Sequence, residues 1–304
     1  MKQRALLLVN HHSRRGEQTV SQVVEQLQSL GFELFEESTE QPQQLSETIR
    51  NYRDRVDLVI IGGGDGTLNA AIEGLVDTQL PLGILPLGTA NDLARTLRIP
   101  QSIPKACQVI AARQSQRIDL GKVNDKHFFN VASLGLSVQI TRQLDKEFKR
   151  RWGVLAYAAT AIQVIWKARR FRAEIRLCEE SIFVRTVQIA VGNGRYYGGG
   201  MTVADDAAIN DERLDLYSLE YQNWWQIFLL LPAIWRGRQA NWSGVRTLQG
   251  KGFEIYTRKP HPINADGEIV TYTPAKFCLV PKAVEVFVPG LPMLPQLENI
   301  QGDA

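Results

Sequence analysis

VDLVIIGGGDGTLNAAIEGL, running from Val56 to Leu75, passes from a strand pattern through a glycine turn into a helix pattern. Val56 to Ile61 is an unbroken apolar run apart from Asp57, which suits a strand buried on both faces of a parallel sheet. Three consecutive glycines then allow a sharp turn and a close approach of the backbone to a ligand. The N–H groups of Gly62 to Gly66, with the N-terminus of a helix starting near Thr67, can surround phosphate oxygens. Asp65 in that loop would repel phosphate unless a cation or hydroxyl donor stood between them. It reads either as a Mg²⁺-linked or catalytic carboxylate, or as a plain cap of the following helix. The loop lacks the Gly-Lys-Ser/Thr ending of a Walker A sequence, and its spacing fails GxGxxG. From the glycines alone, a capped turn and a phosphate loop are equally good readings.

Outward from this stretch, strands and helices alternate. Arg4 to Asn10 reads as a buried first strand, and Val20, Val23, Val24, Leu27 and Leu30 mark one face of a helix. Phe32 to Glu37 and Leu45 to Tyr52 repeat the pair. Leu82 to Leu85 is a further strand, and it opens into Pro86-Leu87-Gly88-Thr89-Ala90-Asn91-Asp92. Such alternation predicts an α/β domain, a doubly wound parallel sheet with ligands at the carboxyl ends of its strands. Thr89 and Asn91 offer a hydroxyl and an amide, and Asp92 a second carboxylate. Each alone suits an N-cap, whereas two polar glycine loops on neighbouring strand ends suit a nucleotide crevice that takes in Gly62, Gly88, Asn91 and Asp92. Beyond Arg117, short strand-like runs dominate, among them FRAEIRLC, IFVRTVQIAVGN, GFEIYT, KFCLVP and AVEVFVP, with helical interruptions at 137–149, 152–168 and 223–236. They predict a mainly antiparallel β-sandwich. The expected domains are 1–124 and 125–284, with a segment of about 285–304 packing back on the first.

The chain has 304 residues, 44% hydrophobic and 22% charged, with a net charge of +3. That length allows two domains, and that charge is too small to argue for nucleic acid as a partner. Cys107, Cys178 and Cys278 show neither metal spacing nor a disulfide framework, which suits a reducing, cytoplasmic setting. The apolar run Ala5 to Val9 is too short for a signal peptide, and nothing approaches the length of a transmembrane segment.

Taken together, GGGDGTLN (62–69) and PLGTANDLART (86–96) resemble the diacylglycerol kinase catalytic domain, shared with bacterial lipid kinases and sphingosine kinases. The resemblance extends to Gly192-Asn193-Gly194 with Tyr197 to Met201, to Asn210 through Asp215, and to Asn264-Ala265-Asp266-Gly267-Glu268 followed by Thr273-Pro274. It implies an ATP- and Mg²⁺-dependent kinase of diacylglycerol or a related lipid, serving phospholipid metabolism. ATP binding is implied for Asn10, His11, His12, Ser13, Arg14, Thr39, Gly63, Gly64, Asp65, Gly66, Thr67, Leu68, Asn69 and Thr89. Glu268 or Asp266 is implied as general base, with Glu268 favoured and Asp65 assisting; read alone, Asp266-Gly267 is a hairpin turn. Asp211 is implied as the side-chain ligand of a Mg²⁺ that also takes the backbone of Ala208 and Arg213. Two positions depart from the pattern: Glu212 stands where the family has glycine, and Asp205 where it commonly has proline.

Trp224 to Arg236 is the most hydrophobic segment, with tryptophan at both ends. It reads equally as an interfacial element or as a helix packed between domains. Lys146 to Arg151 and Lys167 to Arg172 are basic clusters that suit either a solvated face or anionic headgroups. The expected working place is a membrane surface, met from outside, and an exposed sheet edge would support a homodimer. Two rival readings share the loop: a NAD kinase-like phosphotransferase, and a non-catalytic nucleotide- or lipid-binding protein.

Overall fold

The computed structural model describes residues 2–9, 16–38, 41–143, 163–166, 168–178, 180–194, 196–197, 201–202, 208–221, 226 and 244–290. Along the first half lie β1 (Gln3–Val9), α1 (Gly16–Ser29), β2 (Phe32–Ser38), α2 (Leu45–Asn51), β3 (Leu58–Gly63), α3 (Asp65–Thr78), β4 (Leu82–Pro86), α4 (Asp92–Thr96) and α5 (Ile103–Ala111). Then come β5 (Ser115–Val123), β6 (Lys126–Phe128), β7 (Val131–Gly135), α6 (Leu136–Gln143), β8 (Phe171–Leu177), β9 (Glu180–Thr186), β10 (Gln188–Gly192), β11 (Tyr196–Tyr197) and β12 (Met201–Thr202). The last strands are β13 (Leu214–Leu219), β14 (Val245–Gly250), β15 (Gly252–Thr257), β16 (Pro262–Ala265), β17 (Glu268–Tyr272) and β18 (Ala275–Phe287).

The N-terminal part is the α/β unit expected. β1 pairs in parallel with β2 and β3, and β3 pairs in parallel with β4. Leu6, Leu7, Leu8, Leu58, Ile60 and Leu82 are fully buried between the covering helices. This explains their unbroken apolar pattern, since a parallel strand covered on both faces has no solvent side to alternate with. The sheet does not stop at β4. The last turn of β18 pairs in parallel with it at Val286–Leu82, and β18 then runs antiparallel to β5 and to β15. Among the described residues the first sheet orders β2-β1-β3-β4-β18-β15-β8-β9, with β5 and β6 attached through β18.

A second sheet, β14-β13-β10-β7-β16-β17, is antiparallel throughout. Its inner face closes on the first sheet through Leu134, Val191, Leu216 and Ile263 against Ile175, Phe253, Ile255 and Phe277. This is the β-sandwich the sequence predicts. Burial of each such side chain contributes about 1.5–3 kcal/mol.

Two strand readings change. IFVRTVQIAVGN is not one strand: Thr186 and Val187 form a corner, with β9 in the first sheet and β10 in the second. There the Thr186 hydroxyl bonds the carbonyls of Gln188 and Leu219, replacing ladder bonds lost at the bend. Conversely, KFCLVP and AVEVFVP are one strand, β18, bent by a register shift between Val280 and Val284 where Lys282 has φ of 50°. Helix α3 begins at Asp65, two residues before the expected start. Of the expected helices, 144–149, nearly all of 152–168 and nearly all of 223–236 lie outside the described residues, as do Asp205, Asp206, 198–200 and everything after 290.

Candidate active site

β3 and β4 end side by side, and their two glycine loops touch. A Cβ on Gly88 would stand 2.4 Å from the Cα of Gly64, so both loops need glycine to lie this close. Gly64 is the extended N-cap of α3 and supplies no side-chain cap. The first N–H groups of a helix have no partner within it. A Cβ on Gly66 would meet nothing within 4 Å, so this end of α3 faces open space. Positive helix-end charge, unpaired N–H groups and room beside them make a fitting cradle for phosphate. Leu68 is a core residue on the same helix, while Asn69 projects from it with Oδ1 buried and without a hydrogen-bond partner among the described residues.

Asp65 does not cap its own helix. Its two carboxylate oxygens accept the N–H groups of Asp92 and Leu93, each at 3.1 Å, and so bind the start of α4 to the glycine turn. Asn91 braces the second loop from within: it adopts φ of 52° and its amide donates to the Gly88 carbonyl at 3.0 Å and to Gln101 Oε1 at 2.9 Å. Thr89 is exposed at the loop's tip.

The second carboxylate pair comes from the β16–β17 hairpin. Asp266, at φ of 46° in a turn closed by Gly267, is half-buried and accepts N–H groups from Phe129 (2.6 Å), Asn130 (3.0 Å) and Val131 (3.0 Å). Burial pushes its carboxyl up to about 6, against the pull of those three N–H donors, and the neighbouring Asp65 charge adds to the rise. Glu268 of this hairpin lines one cleft with Asn69 and Glu73 of α3, which places the hairpin turn beside the helix that follows the glycine turn. Glu268, the next residue but one, is exposed, and among the described residues its carboxylate has no hydrogen-bond partner. It opens on a cleft of about 560 Å³ shared with Asn69, Glu73, Lys126, His127 and Arg50.

Sequence reasoning passed over Arg50, Glu73, Lys126 and His127, and two of these form a pair. His127 Nδ1 lies 2.9 Å from Glu73 Oε2, and the His127 backbone N–H donates to Glu73 Oε1 at 3.2 Å. Burial raises the Glu73 carboxyl, but the His127 hydrogen bonds and charge outweigh it and hold the group below the usual range. The signal was present: Glu73 is four residues beyond Asn69 on α3, hence on the same face.

Asp211 sits in another neighbourhood. Its carboxylate accepts the N–H groups of Ala208 (3.1 Å) and Arg213 (3.3 Å), and the Arg213 Nε stands 3.2 Å from Oδ2. Burial pushes this carboxyl above its usual range, opposed by the Ala208 N–H and the Arg213 charge. A Mg²⁺ cage needs oxygens converging on one point. Here Ala208 and Arg213 turn N–H groups, and Arg213 a guanidinium, toward the carboxylate, so the Asp211 oxygens are engaged within their own turn. Among the described residues no three acidic, histidine or cysteine side chains stand together as a metal cluster. Glu212 takes φ of 55°, the conformation glycine would adopt. Its N–H is held by buried Asp119 Oδ2 at 2.9 Å, and Asp119 Oδ1 takes the Lys282 N–H at 2.8 Å.

Asn193 ties the second-domain loop down, donating to the carbonyls of Asp119 (2.9 Å) and Phe129 (2.8 Å). Asn10, His11, His12, Ser13, Arg14 and Thr39 lie outside the described residues.

Comparison with known proteins matches residues 4–123 to the diacylglycerol kinase catalytic domain and residues 130–288 to the YegS C-terminal NAD kinase beta sandwich-like domain. A Staphylococcus aureus (strain MSSA476) protein, provisionally named a lipid kinase, is 30% identical over 244 residues, 78% of this chain and 79% of its own. Its counterpart in strain MW2 matches equally. Two solved structures from Bacillus anthracis strain Sterne superpose over most of the molecule. One, provisionally described as a diacylglycerol kinase, has a TM-score of 0.82 at 25% identity, covering 94% of this chain and 95% of that one. The other, described as a diacylglycerol kinase, has a TM-score of 0.79 at 25% identity, covering 94% and 97%.

Proposed function

Because the chain belongs to the diacylglycerol kinase-like family of lipid kinases, we propose that it moves the terminal phosphoryl group of ATP to a hydroxyl of diacylglycerol or a closely related lipid. The observation that carries this reading is the contrast among its motif carboxylates. Asp65 and Asp266 spend both oxygens on backbone N–H groups, while Glu268, two residues from Asp266, keeps its carboxylate open to the cleft beside α3. The first two hold the loops; the third is available to a substrate.

In this reading the N–H groups of Gly64 to Gly66 and the positive end of α3 hold the nucleotide phosphates. The lipid hydroxyl enters by the cleft, and Glu268 accepts its proton as the oxygen attacks the terminal phosphorus. A bond forms between lipid oxygen and phosphorus, the bond to the bridging oxygen breaks, and ADP leaves. Phosphoryl transfer asks mainly for positioning and neutralised charge, and Mg²⁺ carried in with ATP supplies part of the neutralisation. Asn69, from the same helix, is placed to orient either the phosphate or the hydroxyl.

The same reading divides the chain near residue 124, into a nucleotide domain and a domain that brings the lipid and the base. Among the described residues no helix is long and apolar enough to cross a membrane. Transfer of label from γ-labelled ATP, measured against diacylglycerol, monoacylglycerol, phosphatidylglycerol, sphingosine and NAD, tests the proposal. Labelled diacylglycerol or a related lipid is the expected product. Label on NAD and on no lipid would replace this reading with a NAD kinase-like one.

A further inference from the structure

The solvent face of β8, β9 and β15 carries an arrangement that neither the cleft nor the core uses. Alternation sends Ala173, Ile175, Val184 and Ile255 into the core between the sheets. Arg172, Glu174, Phe183, Arg185 and Tyr256 therefore stand on the opposite face. Register sets Arg172 directly opposite Arg185. Thr257 pairs with Ala173 on β8, so Arg258, the next residue, extends the same row to a third strand. Tyr256, Glu174 and Phe183 form the neighbouring row. Together these side chains line a shallow groove of about 520 Å³.

Like charges directly opposed across a strand pair destabilise a sheet, and Phe183 is 77% exposed. The carboxylates on this face are already engaged. Glu174 takes Arg176 Nε at 2.7 Å and the Ser181 hydroxyl at 3.1 Å, while Glu254 takes the Tyr256 hydroxyl at 3.0 Å. Among the described residues no carboxylate lies within ion-pair distance of Arg172, Arg185 or Arg258. Three exposed guanidiniums are left in a row beside an exposed aromatic ring.

We infer that this face docks on an anionic lipid bilayer, the arginines on headgroup phosphates and the Phe183 ring in the boundary layer. Charge complementarity selects the occupant. Guanidinium groups match phosphodiesters in bidentate geometry, and an aromatic side chain beside them suits the interface between headgroup and acyl chain. A small soluble anion would gain nothing from the phenylalanine. This docking rests on the proposed kinase reading for its purpose alone, because binding is measured without turnover.

The full chain is sedimented, without nucleotide, with sucrose-loaded vesicles of phosphatidylcholine alone or mixed with phosphatidylglycerol. Binding is expected only to the mixed vesicles, and it should weaken as salt screens the charges. Arg172→Gln with Arg185→Gln should weaken it about 25-fold, from about fivefold per basic residue near an anionic surface. Arg172→Lys with Arg185→Lys should retain most of it, and Phe183→Ser should lower it; circular dichroism melts check that each variant folds. Absence of binding by the unaltered chain, or equal binding by the double glutamine variant, overturns the inference. So does a dimer, seen by analytical ultracentrifugation, that the double glutamine variant dissolves, because the face then belongs to a second copy. Vesicle binding without phosphate transfer to any lipid would sink the kinase reading and leave this one standing. Turnover of detergent-dispersed lipid with no vesicle binding would do the reverse.

Discussion

Replacing Asp65 by alanine separates two roles that the glycine turn allows for this residue. Its carboxylate receives the Asp92 and Leu93 N–H groups at 3.1 Å each, and alanine leaves both without an acceptor at the first turn of α4. A hydrogen bond to a charged group contributes about 1.5–3 kcal/mol, and the loss of a helix cap costs about 1 kcal/mol. Asp65 is partly exposed, so water recovers some of this, and the expected loss is about 2–4 kcal/mol. At about 2–4 °C per kcal/mol for domains of this size, the melting midpoint should fall by roughly 4–16 °C. Asp65→Asn keeps one acceptor and should lose about half as much. Amide hydrogen exchange at Asp92 and Leu93 reports the staple directly, and calorimetric titration with ADP reports the glycine turn. We expect protection at both amides to drop and ADP affinity to fall with it. A variant with the original midpoint and unchanged protection, but no turnover, would show that Asp65 acts on metal or phosphate alone and that the staple contributes nothing.

Three further outcomes are expected. Glu268→Gln should abolish transfer while leaving ADP binding and the melting midpoint nearly unchanged; normal turnover in that variant would remove Glu268 as base. Asp266 holds its proton more tightly folded than unfolded, with its carboxyl raised from 3.8 to about 6. Its contribution to stability is therefore complete below about pH 4 and is lost as pH rises through 6, a change of about 3 kcal/mol. Urea unfolding of Asp266→Asn across that window should lack this slope, and parallel profiles for the two proteins would count against the raised value. At Glu212 the φ of 55° disfavours side chains, while its ion pairs to Lys251 and Lys282 are exposed and contribute little. Glu212→Gly should thus stay within about 1 kcal/mol of the original, and Glu212→Val should be less stable than the glycine variant by about 2 kcal/mol. Equal stability of the two would mean the turn relaxes.

Local pattern carried the fold further than it carried the site. Leu6, Leu7, Leu8, Ile60 and Ile61 are apolar without interruption because helices cover both faces of their sheet, and that pattern is visible in one dimension. The corner at Thr186 is not, since one hydroxyl bonding two carbonyls does the work that a glycine or proline would have announced. Nor is the merging of two runs into β18, because its bend is absorbed by Lys282 at positive φ, a residue without turn character. At the site, residue types pointed to carboxylates but could not say which oxygens remain available. Asp65 reaches α4 across 27 residues and Asp266 reaches Phe129 across 137, and only folding reveals such partners. The Asp211 turn shows the converse. The family resemblance implies a cation there, and what the sequence could not show is that the carboxylate also takes two N–H groups and stands beside the Arg213 guanidinium.

These partners change what the motif acids are for. A carboxylate that accepts two or three backbone N–H groups has a fixed position and few lone pairs to offer a substrate, so it serves as an anchor. Asp65 anchors the second glycine loop to the first, and Asp266 anchors its hairpin to the segment 129–131. The two anchors lie close enough for the charge of one to raise the other. The glycine turns and the hairpin that carries Glu268, the proposed base, are thereby held by separate clamps. Transfer needs its base placed within a few tenths of an ångström of the reacting hydroxyl. A flexible glutamate at the edge of an open cleft achieves that only if the turn beneath it is held. On the proposed mechanism Asp266 supplies that hold, so its replacement should lower the rate constant for transfer although its own oxygens are engaged on the N–H groups of Phe129, Asn130 and Val131.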